Sequence, residues 1–131
     1  MRFVDTSFWV ALHYTRDRNH ADAARLWGTR DVRVLTTNHV VGETWTFLRR
    51  RTGHEAAEAF RRAIARAGFL AVEHVTEDLE ADAWRWLRRH DERPYSFVDA
   101  TGFAVMRRRR IREALAFDDD FSAAGFVEVR P

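Results

Sequence analysis

The chain has 131 residues, of which 46% are hydrophobic and 32% charged, with a formal net charge of +2; this predicts one globular domain over residues 1–131, burying about two-thirds of the surface its unfolded form exposes. No apolar run approaches the roughly 18 residues a membrane span needs, and Met1-Arg2-Phe3-Val4 meets Asp5 before a signal-like stretch develops, so no membrane contact and a cytoplasmic location are expected. There is no cysteine and all 22 basic residues are arginine, which excludes disulfides, thiolate metal sites, a P-loop lysine and Schiff-base catalysis, while the small net charge does not by itself imply nucleic-acid binding.

Arg2 to Val4 reads as a short buried strand, and Asp5-Thr6-Ser7 supplies caps for a helix through Phe8, Val10, Ala11 and Leu12. Asn19 or Asp22 caps a second helix over His20 to Trp27, and Val32 to Leu35 reads as a second strand. Thr36-Thr37-Asn38 opens a third helix with the stripe Val40, Val41, Thr44, Phe47 and Leu48, ending at Thr52-Gly53. Glu55 to Arg66 is a fourth helix, and Phe69 to Val72, with His74 and Val75, is a strand region bounded by Thr76. The helix from Thr76 carries Leu79, Ala83, Trp86 and Leu87 at helical spacing and stops by Glu92-Arg93-Pro94. Ser96 caps the helix from Phe97 to about Arg109. Ile111 to Phe117 contains a fourth strand, Asp118 to Ala124 a short helix or turn, and Phe126 to Val129 a last strand. This alternation predicts an α/β fold with a mostly parallel central sheet covered on both faces, which binds ligands beyond the carboxyl ends of its strands.

Four acids stand at those junctions: Asp5, Glu43, Asp99 and Asp118. Each has an ordinary reading by itself. Asp5 is a cap, Ser96-x-x-Asp99 is a capping-box pattern, and Asp118 to Asp120 is a solvated turn. Glu43 lies between Val40 and Phe47, so it is expected on the apolar stripe of its helix, where a carboxylate needs a partner. Together the four offer hard oxygen ligands without cysteine or paired histidines, a donor set suited to Mg²⁺ or Mn²⁺ rather than zinc.

The order Phe3-Val4-Asp5-Thr6-Ser7, then Glu43 early in a helix, Ser96-Phe97-Val98-Asp99-Ala100 and Ala116-Phe117-Asp118-x-Asp120-Phe121 resembles the PIN-domain nucleases over nearly the whole chain, most closely the VapC-type toxins of bacterial toxin–antitoxin pairs. The resemblance implies a three-layer α/β/α sandwich in which Asp5, Glu43, Asp99 and Asp118 hold Mg²⁺ or Mn²⁺ and are the catalytic set. Asp120 is implied as an additional or water-mediated ligand, and Thr6, Ser7 and Ser96 as supporting hydroxyls. It further implies RNA as substrate, hydrolysis to 5′-phosphate and 3′-hydroxyl ends, a homodimer, and a cognate antitoxin whose tail blocks the acidic pocket. One departure is Ala116, where the family commonly has threonine. A housekeeping RNA-processing nuclease of the same fold, and a non-catalytic module that binds RNA or protein, are the alternatives.

The arginine runs are remote from these acids along the chain. Arg107 to Arg110 lie roughly 12 to 16 Å along a helix from Asp99, and Arg49 to Arg51 roughly 9 to 12 Å from Glu43. Both runs sit at helix C-termini, where dipole compensation competes with contact to flanking RNA phosphates as their explanation. The six histidines show no metal or catalytic pairing and read as surface or capping residues. Of the five tryptophans, Trp84 and Trp86 cannot share one core face, so one of them, or Trp9 with Trp45, is expected at an interface.

Overall fold

Five short strands pair side by side, every neighbour parallel. In the computed structural model, which describes residues 1–131, β1 (Arg2–Val4), β2 (Val34–Thr37), β3 (Leu70–Glu73), β4 (Glu113–Leu115) and β5 (Val127–Glu128) lie in the order β3-β2-β1-β4-β5. Between and after them run α1 (Thr6–His13), α2 (His20–Gly28), α3 (Asn38–Thr52), α4 (His54–Arg66), α5 (Glu77–Arg89), α6 (Phe97–Arg109) and α7 (Asp120–Ala123). Right-handed crossovers outward to β3 and then back to β4 put α1 to α4 on one face and α5 to α7 on the other. The helix packing follows: α1 on α2 and α3, α3 on α4, α5 on α6, and α6 on α7. The expected three-layer sandwich is therefore present, with a wholly parallel sheet.

β2 begins two residues later than the expected Val32, because Val34 and Leu35 pair with Arg2 and Phe3 and are buried. The shift brings Thr36 and Thr37 into the interior, both with no exposed surface. Their hydroxyls are satisfied there: Thr36 Oγ1 donates to the Val4 carbonyl at 2.8 Å and accepts from Trp9 Nε1 at 3.3 Å, and Thr37 Oγ1 accepts from the Val40 amide at 3.1 Å as the α3 cap. Trp9 is thus a core residue, 1% exposed, rather than an interface one.

The order reverses between β1 and β4. Chain leaving β1 toward β2 and chain leaving β4 toward β5 diverge to opposite sides there, which opens a crevice at the strands' carboxyl ends. α6 completes it. Its residues from Asp99 to Met106 are all buried, and Gly102 lets its backbone approach the sheet: a Cβ at that position stands 3.0 Å from Phe3 Cζ.

Candidate metal centre

Asp5 is the first residue beyond β1. Its backbone amide donates to the Leu115 carbonyl at 3.0 Å, tying it to β4. Its Oδ2 caps α1, accepting from the Ser7 amide at 3.1 Å and the Ser7 hydroxyl at 2.7 Å. Ser7 Oγ also accepts from the Phe117 amide at 2.9 Å, so one hydroxyl joins the loops after β1 and β4. Asp99 enters from α6 through a reciprocal capping box: Ser96 Oγ accepts from the Asp99 amide at 2.9 Å, and the Ser96 amide donates to Asp99 Oδ2 at 3.1 Å. Asp118 Oδ1 accepts from the Asp120 amide at 3.1 Å. The capping roles read from the sequence are real, and each leaves carboxylate lone pairs aimed into the crevice.

The three acids converge, offering oxygen atoms that all lie within 4.8 Å of one another. Asp5 is 2% and Asp99 9% exposed. Burial, then the charges of Asp118 and Asp99, push the Asp5 carboxyl well above its ordinary range, outweighing the hydrogen bonds from Ser7. Burial is also the main cause that raises Asp99 to about 7, with Asp118 and Asp120 adding and the bonds to Ser96 opposing. Asp118 is raised chiefly by burial, then by the Asp120 charge, against the Asp120 backbone amide. None of the molecule's seven ion pairs involves any of the three. Three crowded acid groups without a cation, which retain protons in its absence, beside a buried Thr6 Oγ1 that has no hydrogen-bond partner, form a donor set that fits a hard divalent ion.

The remaining sequence candidates fall in different places. Glu43 lines the same cavity of about 390 Å³ as Asp5, Asp99 and Asp118, but it is solvent-exposed and outside the tight triad. It does not share the buried stripe as expected, because Val40, Val41, Thr44 and Leu48 turn inward and leave Glu43 on the flank of α3. Asp120 points elsewhere, its Oδ1 accepting from Arg93 Nε at 3.0 Å and Nη2 at 2.8 Å. Thr6 and Ser7 line the cavity whereas Ser96 does not; Ser96 acts on Asp99 alone. At the position of Ala116 the carbonyl accepts from Arg130 Nη1 at 2.8 Å.

Asp17, Arg18 and Asn19, from the turn between α1 and α2, also line the cavity. Sequence reasoning named Asn19 only as a cap of α2, where its side chain makes no capping bond, and passed over Asp17 and Arg18; the available signal was the Asx turn in which Asp17 Oδ1 accepts from the Asn19 amide at 2.8 Å. Arg50 and Arg51 line an adjoining cleft of about 840 Å³ that shares Glu43 and Phe47 with the acidic cavity. The Arg107 to Arg110 run is at the opposite end of α6, where Arg108 pairs with Asp82 and Arg109 with Glu73. His13, expected at the surface, packs instead against Trp9 and Phe60, and burial lowers its pKa. Trp86 stacks on His90 within the α5–α6 layer, while Trp84 is 55% exposed and lies on Phe97 with ring centroids 4.2 Å apart.

Known proteins share this fold. The chain is 63% identical over 131 residues to the 23S rRNA-specific endonuclease VapC20 of Mycobacterium tuberculosis, covering 100% of this chain and 99% of that one. It is 23% identical over 128 residues to a VapC ribonuclease of Archaeoglobus fulgidus, covering 91% of this chain and 78% of that one. The crystal structure of M. tuberculosis VapC20, described as a Sarcin-Ricin loop cleaving toxin, superposes with a TM-score of 0.95 at 61% identity over 100% of both chains. A toxin–antitoxin complex from Klebsiella pneumoniae shares the fold, with a TM-score of 0.71 at 12% identity over 95% of this chain and 92% of that one. Residues 2–127 match the family description of the PIN domain, and with the acidic crevice at the β1–β4 switch point the chain belongs to the PIN-domain family.

Proposed function

We propose that this protein is a Mg²⁺- or Mn²⁺-dependent endoribonuclease, the toxin of a toxin–antitoxin pair, and that it acts on ribosomal RNA as its 63% identical relative does by name. The observation that carries the reading is the convergence of Asp5, Asp99 and Asp118 within 4.8 Å without a cation of the protein's own. These three would hold the ion, with Glu43 at the rim orienting the ion or the attacking water. A divalent ion bound there supplies Lewis-acid activation of water and neutralises charge at the phosphate.

The chain's own residues do the positioning. Ser7 fixes one Asp5 oxygen and the Phe117 backbone at once, so the β1 and β4 ligands keep a constant separation. Ser96 holds the Asp99 carboxylate by the α6 cap. Thr6 lines the cavity beside Asp5, its Oγ1 buried and without a hydrogen-bond partner. In the hydrolysis a water oxygen bonds to phosphorus and gives its proton to solvent, while the P–O3′ bond breaks with its electron pair going to O3′, which is protonated; the ends are 5′-phosphate and 3′-hydroxyl.

A homodimer and a cognate antitoxin complete the proposal, the exposed Trp84 on Phe97 marking the face for a second copy. A cytoplasmic location follows from an RNA substrate, and no helix is long and apolar enough to cross a membrane. The decisive experiment incubates purified 23S rRNA and total RNA with the antitoxin-free protein and Mg²⁺ or Mn²⁺, beside Asp99→Asn, and maps the product ends. Discrete cuts with 5′-phosphate ends that vanish with EDTA and in Asp99→Asn are expected. A folded protein that leaves RNA intact would favour the non-catalytic binding module, and 2′,3′-cyclic phosphate ends would refute the hydrolytic route.

A further inference from the structure

Among the residues lining the acidic cavity, Arg18 is the one that carries a positive charge. It is solvent-exposed, and none of the seven ion pairs of the molecule includes it, although three unpaired carboxylates share its cavity. The turn that bears it explains this separation. The Asp17 amide donates to the Tyr14 carbonyl at 2.9 Å and the His20 amide to the Asp17 carbonyl at 3.0 Å, Asp17 Oδ1 accepts from the Asn19 amide at 2.8 Å, and His20 Nδ1 bonds the Ala11 carbonyl at 2.8 Å. These contacts fasten the turn to α1, and the turn sets Arg18 in the cavity lining, exposed to solvent and beyond ion-pair distance of the acids.

We infer that Arg18 grips the phosphate that is cut, a role that rests on the ribonuclease reading above. The acids that gather a cation also repel a phosphodiester, so a group of opposite sign in the cavity lining has a defined task. Guanidinium matches it: its planar donors meet two non-bridging oxygens at once, stay charged at every working pH, and interact more strongly as the phosphate gains negative charge toward the transition state. Arg50 and Arg51 line the adjoining cleft, roughly 10 to 12 Å along α3 from Glu43, and suit the neighbouring phosphates.

The experiment compares wild type, Arg18→Ala and Arg18→Lys on purified 23S rRNA with Mg²⁺, resolving kcat from KM, with Mn²⁺ affinity measured in parallel by calorimetry. The expected result is a fall in kcat of about 100-fold or more for Arg18→Ala, the scale of losing one preorganised donor at developing charge, partial recovery in Arg18→Lys, and restoration of Arg18→Ala by added guanidinium, with Mn²⁺ affinity unchanged. Equal kcat with only KM raised would move Arg18 to a flanking phosphate and overturn the assignment. Loss of Mn²⁺ affinity in both variants would also overturn it, by making Arg18 a support of the carboxylates. Cleavage by wild type and Arg18→Ala at equal rates sinks this assignment alone, whereas a wild type that cuts nothing sinks the ribonuclease reading as well.

Discussion

Ser7 shows how much a single hydroxyl carries at this site. It donates to Asp5 and accepts from the loop after β4, so Ser7→Ala frees one of the proposed ligands and loosens the spacing to Asp118. Outer-sphere changes of this kind weaken metal binding by about 10–100-fold, and titration calorimetry with Mn²⁺ should find a loss in that range while the fold persists. The carboxylates also dictate the response to pH. Asp99, raised to about 7, and Asp5, raised well above its ordinary range by burial, hold protons in the folded state that the unfolded chain has already released, so stability of the metal-free protein falls as pH rises from the unfolded carboxylate pKa through the folded one. His13 works oppositely, its lowered pKa costing stability only as pH drops below about 6.5. The clean window is therefore pH 6.5 to about 8: in EDTA the melting temperature should fall across it by about 2–4 °C as Asp99 ionises, and Asp99→Asn should flatten the slope. A melting temperature that rises there would contradict the assigned protonation of the cluster.

At the scale of elements, α6 is the piece on which the site depends. It carries Asp99 at its first turn and is buried from Asp99 to Met106, which removes the amphipathic stripe that most surface helices show. Its cap, Ser96 with Asp99, was legible because capping boxes are local in sequence. Its close seating on β1 was not, since nothing around Gly102 announces the Phe3 ring 3.0 Å from a would-be Cβ. Gly102→Ala should destabilise the protein by about 1–3 kcal/mol through overpacking, despite the better helix propensity of alanine, and Phe3→Leu in the same chain should recover part of the loss in urea unfolding. Most element boundaries followed from caps and periodicity to within two residues. β2 moved by two at both ends, because parallel pairing with β1 rather than local hydrophobicity chose Val34 to Thr37, and α5 ends at Arg89, three residues before Glu92.

For the whole molecule, a cation held at the switch point would join β1, α6 and the loop after β4, which are distant in sequence, so binding should stabilise the global fold. At a hundred times its dissociation constant an ion adds about 2.7 kcal/mol, roughly 10 °C in melting temperature for a chain of this size; thermal scans with Mn²⁺ against EDTA should show the rise, and Asp99→Asn should abolish it. The sequence by itself determined the alternation of strands and helices, the parallel sheet, and the presence of Asp5, Asp99 and Asp118 after strands or at a helix start, because propensity, capping and period act over a few neighbouring residues. Only the tertiary structure decided which acids meet. It drew Asp5, Asp99 and Asp118 together, left Glu43 on the exposed flank of α3, gave Asp120 to Arg93, and brought Arg18 from an unremarked turn into the cavity lining. Those outcomes depend on strand order, crossover hand and side-chain competition for partners far apart in the chain, and no local pattern encodes them.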